Sequence, residues 1–133
     1  MSLILVMAHA PLASALKQCV EHVFPDDAHA VLTLDVPPDE HPLQTLQSAR
    51  ALLGQHPQQP VLVLCDVLGA TPCNVATQLA KDKPIRVVAG VNLPMLLRTV
   101  CYRDQDPEAL AVLAEEGASQ GVMQVDTAPA PRA

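Results

Sequence analysis

Residues 3–15, LILVMAHAPLASA, decide how the chain is read. From Leu3 to Met7 every position is apolar, with none of the alternation of a sheet that faces water on one side. A run of that length and kind suits a strand buried on both faces, as in a parallel sheet. It leads into His9, and Pro11 suits the first turn of a following helix. The stretch also has the outline of an export leader. However, the first basic residue is Lys17 and the apolar run Leu3 to Ala8 is shorter than a leader's core, so export is not expected.

The composition narrows the options. With 133 residues, 50% of them hydrophobic, the chain can bury one core. No apolar stretch approaches the ~20 residues that cross a bilayer, so this material belongs in a core or a subunit interface. A net charge of -6 with no basic stripe argues against nucleic acid, and Phe24 and Tyr102 alone offer no stacking platform. Cys19, Cys65, Cys73 and Cys101 lie far apart, without CxxC or zinc-type spacing. They read as reduced, mostly buried thiols of a cytoplasmic protein.

Working outward from the first strand, Leu12, Leu16, Cys19, Val20 and Val23 recur at helical spacing until Pro25. Ala30 to Val36 reads as a second strand. A second helix follows with Leu43, Leu46, Ala49, Leu52 and Leu53 on one face, stopped by Gly54. Pro60 to Asp66 (PVLVLCD) is a third strand, followed by a helix from about Pro72 to Ala80. IRVVAG repeats the strand pattern, and a helix starts near Pro94. Asp104 and Asp106 read as helix-start acids, with the last helix beginning at Asp106 and stopping at Gly117. GVMQV reads as a further short strand, and residues 127–133 as a disordered Ala/Pro tail after a domain spanning 1–126.

Strands alternating with helices predict an α/β fold, a mainly parallel sheet covered on both faces. In such sheets ligands bind where the carboxyl ends of neighbouring strands diverge. That directs attention to Ala8–Pro11, Asp66–Pro72 and Gly90–Pro94.

Two of these exits carry complementary groups, His9 and Asp66. If their strands are neighbours, the carboxylate fixes the imidazole tautomer and leaves the other nitrogen as a directed nucleophile or base. The alternative is that His9 caps a turn and Asp66 a loop. Thr71, before Pro72, reads as a helix N-cap facing the same crevice. Helix N-termini at Pro11 and Thr71 would welcome an anion, and a neutral nucleophile between them suits a phosphoryl group. His22, His29, His41 and His56 sit in polar contexts and read as solvated. Gly69 and Gly90 read as turn residues, since neither GxGxxG nor GxxxxGK occurs.

From Leu3 to Val125 the chain resembles the IIA component of mannose-type sugar phosphotransferase systems. The resemblance rests on ILVMAHAPLA, LVLCDVLGATPCN and VVAGVNLPMLL together. It implies that His9 accepts a phosphoryl group from the phosphocarrier HPr, that Asp66 orients the ring, and that Thr71, Gly69 and Ala10 surround the phosphate. Leu68, Asn92 and Pro94 would then face the protein partners, HPr and an acceptor IIB. No metal or other cofactor is implied. The implied sheet order is 2-1-3-4, with a fifth strand, resembled by GVMQV, exchanged in a homodimer.

Three departures stand out. Leu68 replaces a tryptophan frequent in sugar-transporting members, Ala70 and Thr71 stand where glycine and serine are common, and no IIB domain follows the Ala/Pro tail. Other readings are a IIA-like phosphoryl donor of a dihydroxyacetone kinase, a regulatory binding module, and a small flavin or nucleotide binder, the last weakened by the missing phosphate loop.

Overall fold

The computed structural model describes residues 1–81 and 84–128. Its elements run β1 (Leu3–His9), α1 (Leu12–Val23), β2 (Val31–Val36), α2 (Pro42–Gly54), β3 (Val61–Cys65), α3 (Thr71–Leu79), β4 (Ile85–Ala89), α4 (Leu93–Cys101) and α5 (Pro107–Gln120). The four strands form one parallel sheet in the order β2-β1-β3-β4, as the resemblance implied.

Because strand side chains alternate between faces, the unbroken apolar run of β1 feeds two cores at once. Ile4, Val6 and Ala8 join Leu62, Leu64 and Val88 beneath α1, α4 and α5. Leu3, Leu5 and Met7 join Val61, Val63 and Ile85 beneath α2 and α3. Leu3 to Ala8 are all buried. Burying each large aliphatic side chain contributes about 1.5–3 kcal/mol, so a polar residue anywhere in this run would be costly until the strand leaves the sheet. It leaves at His9, the first exposed position of β1.

Several details differ from the sequence expectations. Ala30 closes a short 3-10 turn, and β2 starts at Val31. Leu43 is exposed because Thr45 takes the core-facing place in the first turn of α2 and donates its hydroxyl to Glu40 at 2.8 Å. Asp106 does cap α5, accepting from Ala109 N–H at 2.9 Å, whereas Asp104 lies in the preceding turn. Gly117 does not stop α5. The helix continues to Gln120, and Gly117 is buried where α5 crosses α4. Residues 122–128 carry no regular secondary structure, so GVMQV does not form the expected strand, and among the described residues no strand pairs with it. The tail expected from 127 falls largely on residues 129–133, which lie outside the described residues.

The α4/α5 contact depends on Gly117. A Cβ there would lie 2.8 Å from Arg98 Cβ and 3.3 Å from the Pro94 carbonyl oxygen. Relief would require the two helices to separate. Gly117→Ala is therefore expected to lower stability by about 1–3 kcal/mol despite alanine's better helix propensity. An unchanged urea-unfolding midpoint would disprove the close approach.

Candidate functional site

The exits of β1 and β3 meet because the two strands are hydrogen-bonded neighbours, Met7 opposite Cys65. Asp66 Oδ2 accepts from the backbone N–H of His9 at 2.9 Å and lies 2.6 Å from the ring nitrogen Nδ1 of the same residue. Oδ1 accepts from Val67 N–H at 2.9 Å. A carboxylate only accepts, so Nδ1 carries the proton and the lone pair of the neutral ring sits on Nε2. The His9 side chain is 52% exposed and that of Asp66 only 9%. The arrangement is an exposed nucleophilic nitrogen on a ring held from behind by a buried anion.

The loop after Asp66 is a tight turn. Ala70 N–H donates to Val67 C=O at 3.2 Å, and Gly69 occupies φ +88°, a conformation that favours glycine at the third position of a type II turn. The turn projects Leu68, 80% exposed, from its second position, beside half-exposed Val67. It then delivers the chain into α3.

Thr71 is not the N-cap of that helix. Asn74 N–H donates to Ala70 C=O at 3.0 Å, which makes Ala70 the cap residue and Thr71 the first residue of the helix, and Thr71 makes no side-chain capping bond. Asn74 Nδ2 also donates to the Gly69 carbonyl at 3.2 Å, bracing the turn. Ala10 is exposed, but its N–H donates to Val36 C=O at 3.0 Å and is not free for a ligand.

On the β4 side, Gly90 N–H donates to Asp66 C=O at 3.1 Å and Val91 N–H to Cys65 C=O at 3.0 Å, which ties this exit to the aspartate. Asn92 caps α4, accepting from Met95 N–H at 2.9 Å, and the Pro94 ring packs where a Cβ at Gly121 would overlap it. Both residues therefore hold structure here.

Sequence reasoning missed Asp35, whose Oδ1 accepts from Ser14 N–H in the first turn of α1 at 3.1 Å. The available signal was a charged residue inside the otherwise apolar-and-threonine strand VLTLDV. Of the other histidines, His22, His29 and His41 are exposed and His56 is half-buried. His41 caps α2 by accepting from Leu43 N–H at 3.1 Å. Cys65 and Cys73 are buried, Cys19 is half-buried, and Cys101 is exposed. Burial pushes the Cys65 thiol far up, helped by the neighbouring Cys73 and the Asp66 charge, so it stays protonated. Among the described residues no cluster of three or more His, Cys, Asp or Glu could hold a metal, and no helix is long and apolar enough to cross a membrane. A cleft lined by Pro60, Arg86 and Pro107 lies at the amino ends of β3 and β4, opposite the histidine. Its Arg86–Glu108 pair, 3.7 Å apart, is solvated on both sides and gives that cleft no comparable chemistry.

The fold and site define a parallel α/β domain with a carboxylate-paired histidine at the carboxyl edge of its sheet. The family model described as "PTS system fructose IIA component" matches residues 3–115. The chain belongs to that family. It is 41% identical over 76 residues, 55% of its length, to the mannose-specific EIIAB component of Escherichia coli K12, of which the match covers 24%. The chain thus spans about a quarter of that relative. It is 30% identical over 104 residues to the fructose-specific EIIA component of Bacillus subtilis, covering 76% of this chain and 70% of that one. Among solved structures, the mannose/sorbose-specific IIA subunit from Enterococcus faecalis superposes with a TM-score of 0.90 over 98% of both chains at 24% identity, a likeness of fold.

Burial alone would raise the Asp66 carboxyl. The hydrogen bonds from the His9 backbone and ring and from Val67, together with the charge of protonated His9, outweigh it and hold the group below the usual value near 3.8. A group depressed on folding binds fewer protons in the native than in the unfolded chain. Its contribution is therefore complete above the unfolded value and is lost as pH falls through the folded one. In acid, the wild type is expected to lose stability more steeply below pH 3.8 than Asp66→Asn, which has no carboxyl to protonate. Parallel stability-pH curves would remove Asp66 from the linkage.

Proposed function

We propose that this chain is a cytoplasmic histidine phosphocarrier of a phosphoenolpyruvate-dependent phosphotransferase system, accepting a phosphoryl group on His9 Nε2. The observation that carries the reading is the 2.6 Å contact between His9 Nδ1 and Asp66, on a side chain that is half exposed. Nε2 attacks the phosphorus of phospho-HPr. A new N–P bond forms as the old one breaks, and the bonding pair returns to the donor's imidazole. Positive charge grows on the His9 ring as its lone pair is used, and Asp66 opposes that charge from the far side. A nucleophile of a IIB component then attacks the same phosphorus, the N–P bond to His9 breaks, and its bonding pair returns to Nε2.

The opening turns of α1 and α3 supply unpaired amides and the Thr71 hydroxyl for the phosphoryl oxygens. Gly69 shapes the turn that carries them. Leu68 and Val67 form an apolar rim beside the nucleophile, suited to a protein partner that must come within bonding distance of His9. Asn92 and Pro94 extend that rim from β4.

The test is incubation with enzyme I, HPr and phosphoenolpyruvate, read as one acid-labile phosphoryl group by intact mass. His9→Ala is expected to take up none, and label on that variant would refute the site. Asp66→Asn is expected to react about a hundredfold more slowly. Leu68→Asp should raise the KM for phospho-HPr about tenfold with little change in kcat, and an unchanged KM would exclude Leu68 from the docking rim.

A homodimer completes this reading. Val122, Met123 and Val125 stand 73%, 74% and 77% exposed beyond α5, apolar side chains that a second copy would cover if the segment paired as a fifth strand. Sedimentation at the dimer mass, lost on removal of residues 122–133, is expected. A monomer at working concentration would overturn the exchange.

A further inference from the structure

The connection from β1 to α1 is held from the neighbouring strand at two points. Val36 C=O accepts from Ala10 N–H at 3.0 Å, and Asp35 Oδ1 accepts from Ser14 N–H at 3.1 Å. Asp35 is placed for this by register, since it stands opposite Ala8 and one step before the pair His9 and Val36. Residues paired across a parallel ladder share a face, and the Ala8 face is the one that α1 covers.

The helix needs the outside carboxylate. Pro11 occupies its cap position and makes no side-chain capping bond, and the first turn contains no acid. Asp35 therefore does for α1 what a capping aspartate in the chain itself would do, with the added charge-assisted strength of a carboxylate at a helix N-terminus. Ser14 is the third residue of α1. Leu12 and Ala13 precede it, and helix geometry gives their amides no acceptor within the helix. Leu12 is the first residue of α1, three residues past His9, so its amide is the unpaired helix donor nearest the histidine in the chain.

We propose that Asp35 is a positioning residue for phosphoryl transfer at His9: by pinning the first turn of α1 to β2 it holds the Leu12 amide toward the phosphoryl oxygens on Nε2. The inference rests on the phosphocarrier reading but concerns a residue two strands away from Asp66 in the sheet, with a different job. Asp66 acts on the ring, and Asp35 acts on the helix that receives the phosphate. The carboxylate touches neither the nucleophile nor the transferred group.

The experiment compares the wild type with Asp35→Leu, which keeps the size and loses the acceptor, and Asp35→Asn, which keeps an oxygen acceptor. Each is phosphorylated by phospho-HPr and, in parallel, by phosphoramidate, a small chemical donor. Asp35→Leu is expected to accept phosphate from phospho-HPr about tenfold more slowly or worse. It should also lose most of the phosphorylation-induced shift of the Leu12 amide signal, and Asp35→Asn should recover both. Ser14→Pro removes the same N–H donor from the helix side, where the carbonyl four residues back lies outside the helix, and replaces Asp35→Leu in the comparison, with the same slowing expected, if that variant fails to fold. Wild-type rates and an unchanged Leu12 shift in the folded variant would overturn the role of Asp35. If phospho-HPr leaves the wild type unlabelled, the phosphocarrier reading fails. The Leu12 shift in chemically phosphorylated protein then still decides whether Asp35 positions the helix.

Discussion

The site depends on the pairing of β1 with β3. Neighbouring parallel strands end together at the same edge of the sheet, and this brings a histidine and an aspartate that are far apart in sequence within 2.6 Å. Asp66 strengthens the arrangement by accepting from the His9 backbone as well as its ring, so a single carboxylate oxygen fixes both the end of β1 and the orientation of the imidazole. The backbone bond matters because a ring can rotate about its own χ angles, whereas a main chain held at the same oxygen leaves it few places to go. Gly90, bonded to the Asp66 carbonyl, extends the restraint to β4.

That edge is polar because the sheet behind it is not. Leu3 to Ala8 are buried without interruption, and both layers of helices pack against the same strand. A chain built this way can place reactive groups only where strands emerge, and each emerging strand leads through a short connection into a helix whose first amides have no acceptor within the helix. The exposed histidine and the helix starts beside it thus arise from one topological fact. The precision of the second depends on how firmly the helix starts are tied down, and the ties differ. α2, α4 and α5 are capped by their own residues His41, Asn92 and Asp106, while α1 borrows Asp35 from β2.

Much of this was legible in the sequence. The apolar run of β1, the strand PVLVLCD and the prolines at helix starts are local signals, and local signals sufficed for every strand of the sheet and every helix. The pairing of His9 with Asp66 was legible only conditionally, since nothing in a linear sequence says that the first and third strands are neighbours; the strand order came from the family resemblance. What remained hidden was tertiary. Gly117 has the form of a helix stop and is in fact a contact surface, because a missing side chain serves either purpose and only the crossing of α4 with α5 distinguishes them. Thr71 has the form of a cap, yet the chain closes its first turn one residue earlier, on the Ala70 carbonyl. Asp35 gave no sign of its partner, because a cap supplied by another strand leaves no spacing to read.

The openness of the site follows from the chemistry proposed for it. A phosphocarrier meets a donor protein and an acceptor protein at the same nitrogen, so that nitrogen has to lie where two different surfaces can reach it. A closed pocket would strengthen every charge interaction inside it and exclude both partners. The structure separates the two demands. The His9 side chain is half exposed, and the carboxylate that holds its Nδ1 sits behind it, nine-tenths buried. Electrostatic support therefore comes from within the fold, where water screens it least, and on the proposed reading the exposed face is left to apolar side chains such as Leu68, with no charge of their own to desolvate.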